Sequence, residues 1–92
     1  PKPGYYALKF MAEELKDGTA GLAITQYTGL RGYTFQLPTK KVWVLWSPDG
    51  VTAVQIPLPA GTTMIYDKFG NPIDPMPDPI QIIHPTYFEF PP

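Results

Sequence analysis

KVWVLWS, Lys41–Ser47, is apolar on both of its strand faces. Side chains alternate sides along a β-strand, so Val42, Val44 and Trp46 share one face while Trp43 and Leu45 share the other. A strand half-exposed to water alternates apolar with polar. One that is apolar throughout is a central strand covered twice. Working outward, RGYTFQL at 31–37 sets Tyr33, Phe35 and Leu37 against Gly32, Thr34 and Gln36. That alternation predicts one face on the core and one toward water.

Further strands are expected at Leu22–Tyr27, Thr52–Pro57, Thr63–Tyr66, Ile80–Ile83 and Tyr87–Phe90, beside Arg31–Leu37 and Lys41–Ser47. Between them lie breakers whose Pro and Gly favour turns: Thr28-Gly29, Pro38-Thr39, Pro48-Asp49-Gly50 and Pro59-Ala60-Gly61. YDKFGNP, Tyr66–Pro72, joins a strand end to a tight reversal assisted by Gly70. Antiparallel hairpins are the economical connection. Pro72–Pro79 carries four prolines and two aspartates. It reads as an extended loop that cannot join the interior of a sheet and is available to contact a partner.

Before the strands comes one amphipathic helix, Tyr5–Lys16. Tyr5, Leu8, Ala12 and Leu15 recur at spacings of three and four, with Lys9, Glu13, Glu14 and Lys16 opposite. Pro3 suits the helix start and Asp17-Gly18 the stop, with a left-handed glycine. About three turns are too short to persist alone in water, so the apolar face needs a covering partner. The expected fold is all-β: a small antiparallel β-sandwich of about seven strands at 22–92, preceded by a helix and linker at 1–21.

Composition narrows function. Ninety-two residues hold one small core, and thirteen prolines with eight glycines favour turns over long helices. Seven Lys and Arg against eight Asp and Glu leave a net charge of -1 and no basic stripe, so nucleic acid is not an expected partner. Without cysteine there is neither a disulfide nor a thiolate metal site. No apolar run reaches the ~20 residues of a membrane span, and no membrane partner is expected. Pro1 and the ends PKPGYY and FEFPP read as cuts through a longer polypeptide.

Catalytic residues are not evident, and the expectation is no catalytic site, no cofactor and no metal. Glu13, Glu14 and Asp17 fall on the polar side or end of the helix. Asp49, Asp67, Asp74 and Asp78 fall in turns, and Glu89 on the last strand, none placed as a pair across a sugar bond. His84 has no second histidine to share a metal. Ser47 lacks the Gly-x-Ser-x-Gly elbow and reads as a turn residue. Aromatic side chains are the remaining route to a ligand, since Trp and Tyr rings stack on sugar C-H faces. Trp43, Trp46, Tyr33 and Tyr87 are the candidates for carbohydrate binding. Because the two tryptophans point to opposite faces, one of them either packs against a helix or companion domain, or faces a ligand.

Four segments share a resemblance. KPGYYALKFMAEELKDG looks like the closing helix of a (β/α)8 barrel in glycoside hydrolases of the large clan with two strand-end glutamates. YTGLRGYTFQLPTKKVWVLWSPDG and IPLPAGTTMIYDKFGNPI resemble strands and turns of the β-sandwich that follows such barrels, and HPTYFEF resembles its final strand. The resemblance implies a non-catalytic C-terminal accessory domain bracing a catalytic barrel whose glutamates lie outside these residues. It is compatible with secretion or a cell-surface location. The alternatives are a carbohydrate-binding module holding polysaccharide, and an immunoglobulin-like or fibronectin-like module in which the helix is a linker and Pro72–Pro79 docks a protein.

Overall fold

A computed structural model describes residues 11, 13–16 and 18–92 of the chain. Seven strands run through it: β1 (Thr19–Ala23), β2 (Arg31–Gln36), β3 (Lys41–Trp46), β4 (Val54–Ile56), β5 (Met64–Tyr66), β6 (Ile80–Ile82) and β7 (Thr86–Phe90). Five form an antiparallel sheet in the order β1-β2-β3-β7-β5, and β4 pairs with β6 in a second, two-stranded sheet. The chain is a small all-β, sandwich-like fold. Strands β2 to β7 fall close to where the patterning places them.

The first strand differs. It spans Thr19–Ala23 rather than Leu22–Tyr27, and Leu22 is 81% exposed. A bulge interrupts its pairing with β2 between Ala20 and Ala23. There the Leu22 amide donates to the Thr34 hydroxyl at 3.0 Å, and that hydroxyl lies 3.4 Å from the Leu22 carbonyl. Gly21 makes the approach feasible, because a β-carbon would collide with the same hydroxyl. The earlier start of the strand is thus tied to a bulge, a feature of pairing rather than of local pattern.

Both faces of β3 carry buried side chains, as the reading of Val42–Trp46 requires. Between the sheets lies the first core, where Leu45, Ile65, Phe88 and Phe90 meet Ile56, Ile80 and Ile82, with Ile24 and Leu30 closing one end. In the small sheet these isoleucines alternate with Gln55 and Gln81, which remain exposed. On the opposite face of the large sheet, Leu37, Val42, Val44 and Tyr87 form a second core, packed by Leu15, Phe35, Trp46 and Tyr66.

Leu15 belongs to the segment entering the sheet. Met11, Glu13 and Glu14 are helical, the Leu15 amide donates to the Met11 carbonyl at 3.1 Å, and the Gly18 amide donates to Leu15 at 3.0 Å. Most of the expected helix Tyr5–Lys16 lies outside the described residues. Gly18 serves close packing, since a β-carbon there would press on the Leu15 carbonyl and the Leu37 side chain.

Hairpins account for only part of the connectivity. β1–β2 and β2–β3 are sequential neighbours, but β7 returns between β3 and β5. The physical reason is burial. Thr86, Tyr87, Phe88 and Phe90 are all buried, and a strand covered on both faces is best accommodated inside a sheet. The reversal at Tyr66–Pro72 forms as expected. The Asp67 carboxylate accepts from the Phe69 and Asn71 amides, each at 2.9 Å, and Gly70 takes φ 87°. Pro72 then bridges back to Tyr66, and the Ile73 amide donates to the Ile65 carbonyl at 2.9 Å, covering the β5 edge. Pro72–Pro79 is held against the body: Ile73 and Met76 pack on the first core, and the Asp78 carboxylate accepts from the Leu58 amide at 3.0 Å.

Candidate functional site

The β2–β3 register fixes where the four candidate aromatics lie. Arg31 stands opposite Trp46 and Tyr33 opposite Val44, so Arg31, Tyr33 and Trp46 share one face. The Tyr33 and Trp46 ring centroids are 6.2 Å apart, tilted by 31°. Tyr33 is 47% exposed and Trp46 half-buried. Trp43 faces the first core, half-buried, with its ring centroid 4.7 Å from that of Phe90. Tyr87 shares the face of Trp46 but is buried in the second core at 3% exposure. Tyr33 and Trp46 are therefore brought together, Tyr87 is buried in packing, and Trp43, besides packing on Phe90, lines a separate hollow of about 300 Å³ with Gly21, Thr34, Phe35 and Lys41.

The paired rings line a groove of about 490 Å³ at one end of β1–β3. Ala23, Ile24 and Thr25, at and just after the end of β1, and Pro48, just after β3, complete its lining with Gly29 to Gly32. Arg31 is the charged residue of the lining, and the two described ion pairs, both made by Lys40, do not involve it. Pro48 leads into a rigid loop. The Asp49 carboxylate accepts from the Ser47 hydroxyl at 2.9 Å, from the Val51 and Thr52 amides at 2.8 Å each, and from the Thr52 hydroxyl. These donors, led by Thr52, hold the Asp49 carboxyl well below the ordinary carboxylate range. Ser47 thus serves the turn, as its sequence context suggests. His84 is exposed beside a smaller hollow lined by Asp67, Lys68 and Phe69, and its carbonyl accepts from the Thr86 hydroxyl at 2.9 Å. Among the described residues no group of three or more His, Cys, Asp or Glu side chains is placed to hold a metal ion.

A second constellation was not evident in the sequence. Lys40 Nζ lies 2.8 Å from Glu14 Oε1 and 2.5 Å from Glu89 Oε2, bridging the incoming segment to β7. Glu14 is 8% exposed, and its Oε2 has no hydrogen-bond partner among the described residues. Burial pushes the Glu14 carboxyl up to about 7, the neighbouring Glu89 carboxyl adds to the rise, and Lys40 opposes it. Glu89 goes the other way: burial resists its ionisation, but the neighbouring Glu14 carboxyl and the hydrogen bond from Lys40 hold it below its ordinary value. Lys40 is raised, because hydrogen bonds to both carboxyls outweigh burial. Tyr87 and Tyr66 are also raised, first by burial and then by nearby negative charge.

One carboxyl with raised proton affinity beside another with lowered affinity is a pattern associated with acid-base chemistry. Here the lysine ammonium bonds to both, and neither glutamate lines the groove or the hollow beside His84. The arrangement is that of an anchor. Parity could have placed Glu89 beside Tyr87 on one face, but its meeting with Glu14, 75 residues away in the chain (89 minus 14), has no signal in the sequence.

Comparisons with protein-family models, curated proteins and solved structures find no match for this chain.

Proposed function

We propose that the chain is a non-catalytic accessory β-sandwich of a glycoside hydrolase, bracing a (β/α)8 barrel carried on the same polypeptide. The observation that supports this reading best is the Lys40 bridge. A free linker would enter the sandwich without buried contacts, but here Leu15 packs on the second core and Glu14 is tied through Lys40 to Glu89. Such a segment transmits the orientation of whatever precedes it to the sheet. Sequencing the coding region upstream of Pro1 tests the reading directly. It is expected to encode a barrel with a glutamate at the ends of two strands, and the barrel should melt at a higher temperature with these 92 residues attached than without them. An unrelated upstream sequence, or a barrel indifferent to the attachment, overturns it.

A second reading, carbohydrate binding, draws support from Tyr33 and Trp46 lying side by side at the groove. It is compatible with bracing, since the groove lies at the β1–β3 end and is not lined by Leu15 or Glu14. The protein-interaction module is less supported, because its premises are a loose helix and a free Pro72–Pro79 loop.

A further inference from the structure

Tyr33 is the one aromatic side chain among the described residues left largely exposed. The cores do not need its ring, yet it lies against Trp46 beside a groove within the ~300–1,000 Å³ range of small-molecule sites. We propose that this groove binds an acidic sugar residue, a uronic acid within an oligosaccharide, with Tyr33 and Trp46 receiving its C-H face and Arg31 its carboxylate. The inference rests on the carbohydrate-binding reading of the same groove and adds the class of sugar.

Charge carries the argument. The lining contains Arg31 and no acidic residue, although acidic residues slightly outnumber basic ones in the whole chain. Arg31 makes no ion pair among the described residues. Asp49, the acid nearest the lining in sequence, is already engaged by Ser47, Val51 and Thr52 within its own loop. Among the described residues the guanidinium is therefore uncommitted, at the edge of an aromatic platform. Its planar fork matches a carboxylate with two parallel hydrogen bonds. A neutral sugar would use the rings but gain little from a cation, and a proline-rich peptide likewise. A uronate uses both, because its carboxylate projects from the edge of a ring whose faces are largely C-H. Thr25, an exposed residue of the same lining, adds a hydroxyl for the ring hydroxyls.

The test is an NMR titration of the full 92-residue chain with oligogalacturonate and, separately, neutral galacto-oligosaccharide of equal length, following both indole N-H signals. Trp46 should shift saturably with the acidic ligand, at least about tenfold more tightly than with the neutral one, while Trp43 on the other face stays still. Arg31→Gln should abolish the preference for acid, and Tyr33→Ala should weaken both ligands; both residues are exposed, and an unchanged Trp43 signal reports an intact fold. Equal affinity for the two ligands, insensitive to Arg31→Gln, overturns the acidic specificity and leaves carbohydrate binding standing. Shifts at Trp43 instead of Trp46, or none at millimolar ligand of either kind, overturn both.

Discussion

Raising the pH from 5 to 8 should destabilise the protein through Glu14. Its carboxyl holds a proton up to about 7 in the folded chain against an ordinary 4.5, chiefly because of burial. A group whose proton is held more tightly in the native state contributes its full stability below the unfolded value. That contribution is then lost as the pH climbs through the folded one. Linkage between the two values removes on the order of 2 kcal/mol between pH 5 and pH 8. For a domain of this size each kcal/mol moves the melting midpoint by roughly 4–8 °C, so a fall on the order of 10 °C is expected. Glu89 acts oppositely: its contribution is complete above its ordinary value and is lost only as the pH falls through the depressed one. Its effect therefore lies on the acid side of the window. The assay is thermal unfolding by circular dichroism at fixed ionic strength from pH 5 to 8, with Glu14→Gln beside the parent. The variant should lose the slope and become the more stable protein at pH 8, because a neutral amide needs no lysine. A flat profile in the parent, or an equal slope in Glu14→Gln, refutes the reasoning.

Other substitutions probe the sheet and its turns. Val44→Ala removes methyl groups from the 7%-exposed centre of the second core and should cost about 2 kcal/mol or more in denaturant unfolding; an effect near zero would place Val44 outside the core. Gly32→Ala drives a methyl into the Val44 carbonyl and the Leu45 side chain, and a loss of about 1–3 kcal/mol is expected. An unchanged unfolding midpoint would contradict that packing. Asp49→Ala removes the acceptor for the Val51 and Thr52 amides, which should then exchange with deuterium markedly faster than the amides of β3. Unaltered exchange at both would mean the loop holds itself by other means.

Much of the fold was legible because strand patterning is local. The double-sided apolarity of Val42–Trp46 announced a covered central strand, and the Asp, Gly and Pro of Tyr66–Pro72 announced a reversal whose hydrogen bonds depend on residues at most four apart. The start of β1 was not legible. Its bulge depends on the Thr34 hydroxyl of the neighbouring strand, and Thr-Ala-Gly-Leu-Ala carries little apolar alternation of its own. Of the candidate site, parity separated Trp43 from Trp46, and the structure then distinguished the exposed Tyr33 from the buried Tyr87. Both tyrosines occupy apolar strands. Only the order of the strands tells which lies beneath the second core.

By itself, then, the sequence determined that the chain is all-β, that β3 is covered on both sides and where the turns fall, since each follows from period-two burial or from the backbone limits of Pro and Gly. Tertiary structure alone decided that β7 enters between β3 and β5, that Tyr33 meets Trp46 at an open groove, and that Lys40 joins Glu14 to Glu89. The physical reason is that these depend on which distant surfaces exclude water from one another. A carboxylate's neighbours, and hence its proton affinity, are fixed only when segments far apart in the chain close over it.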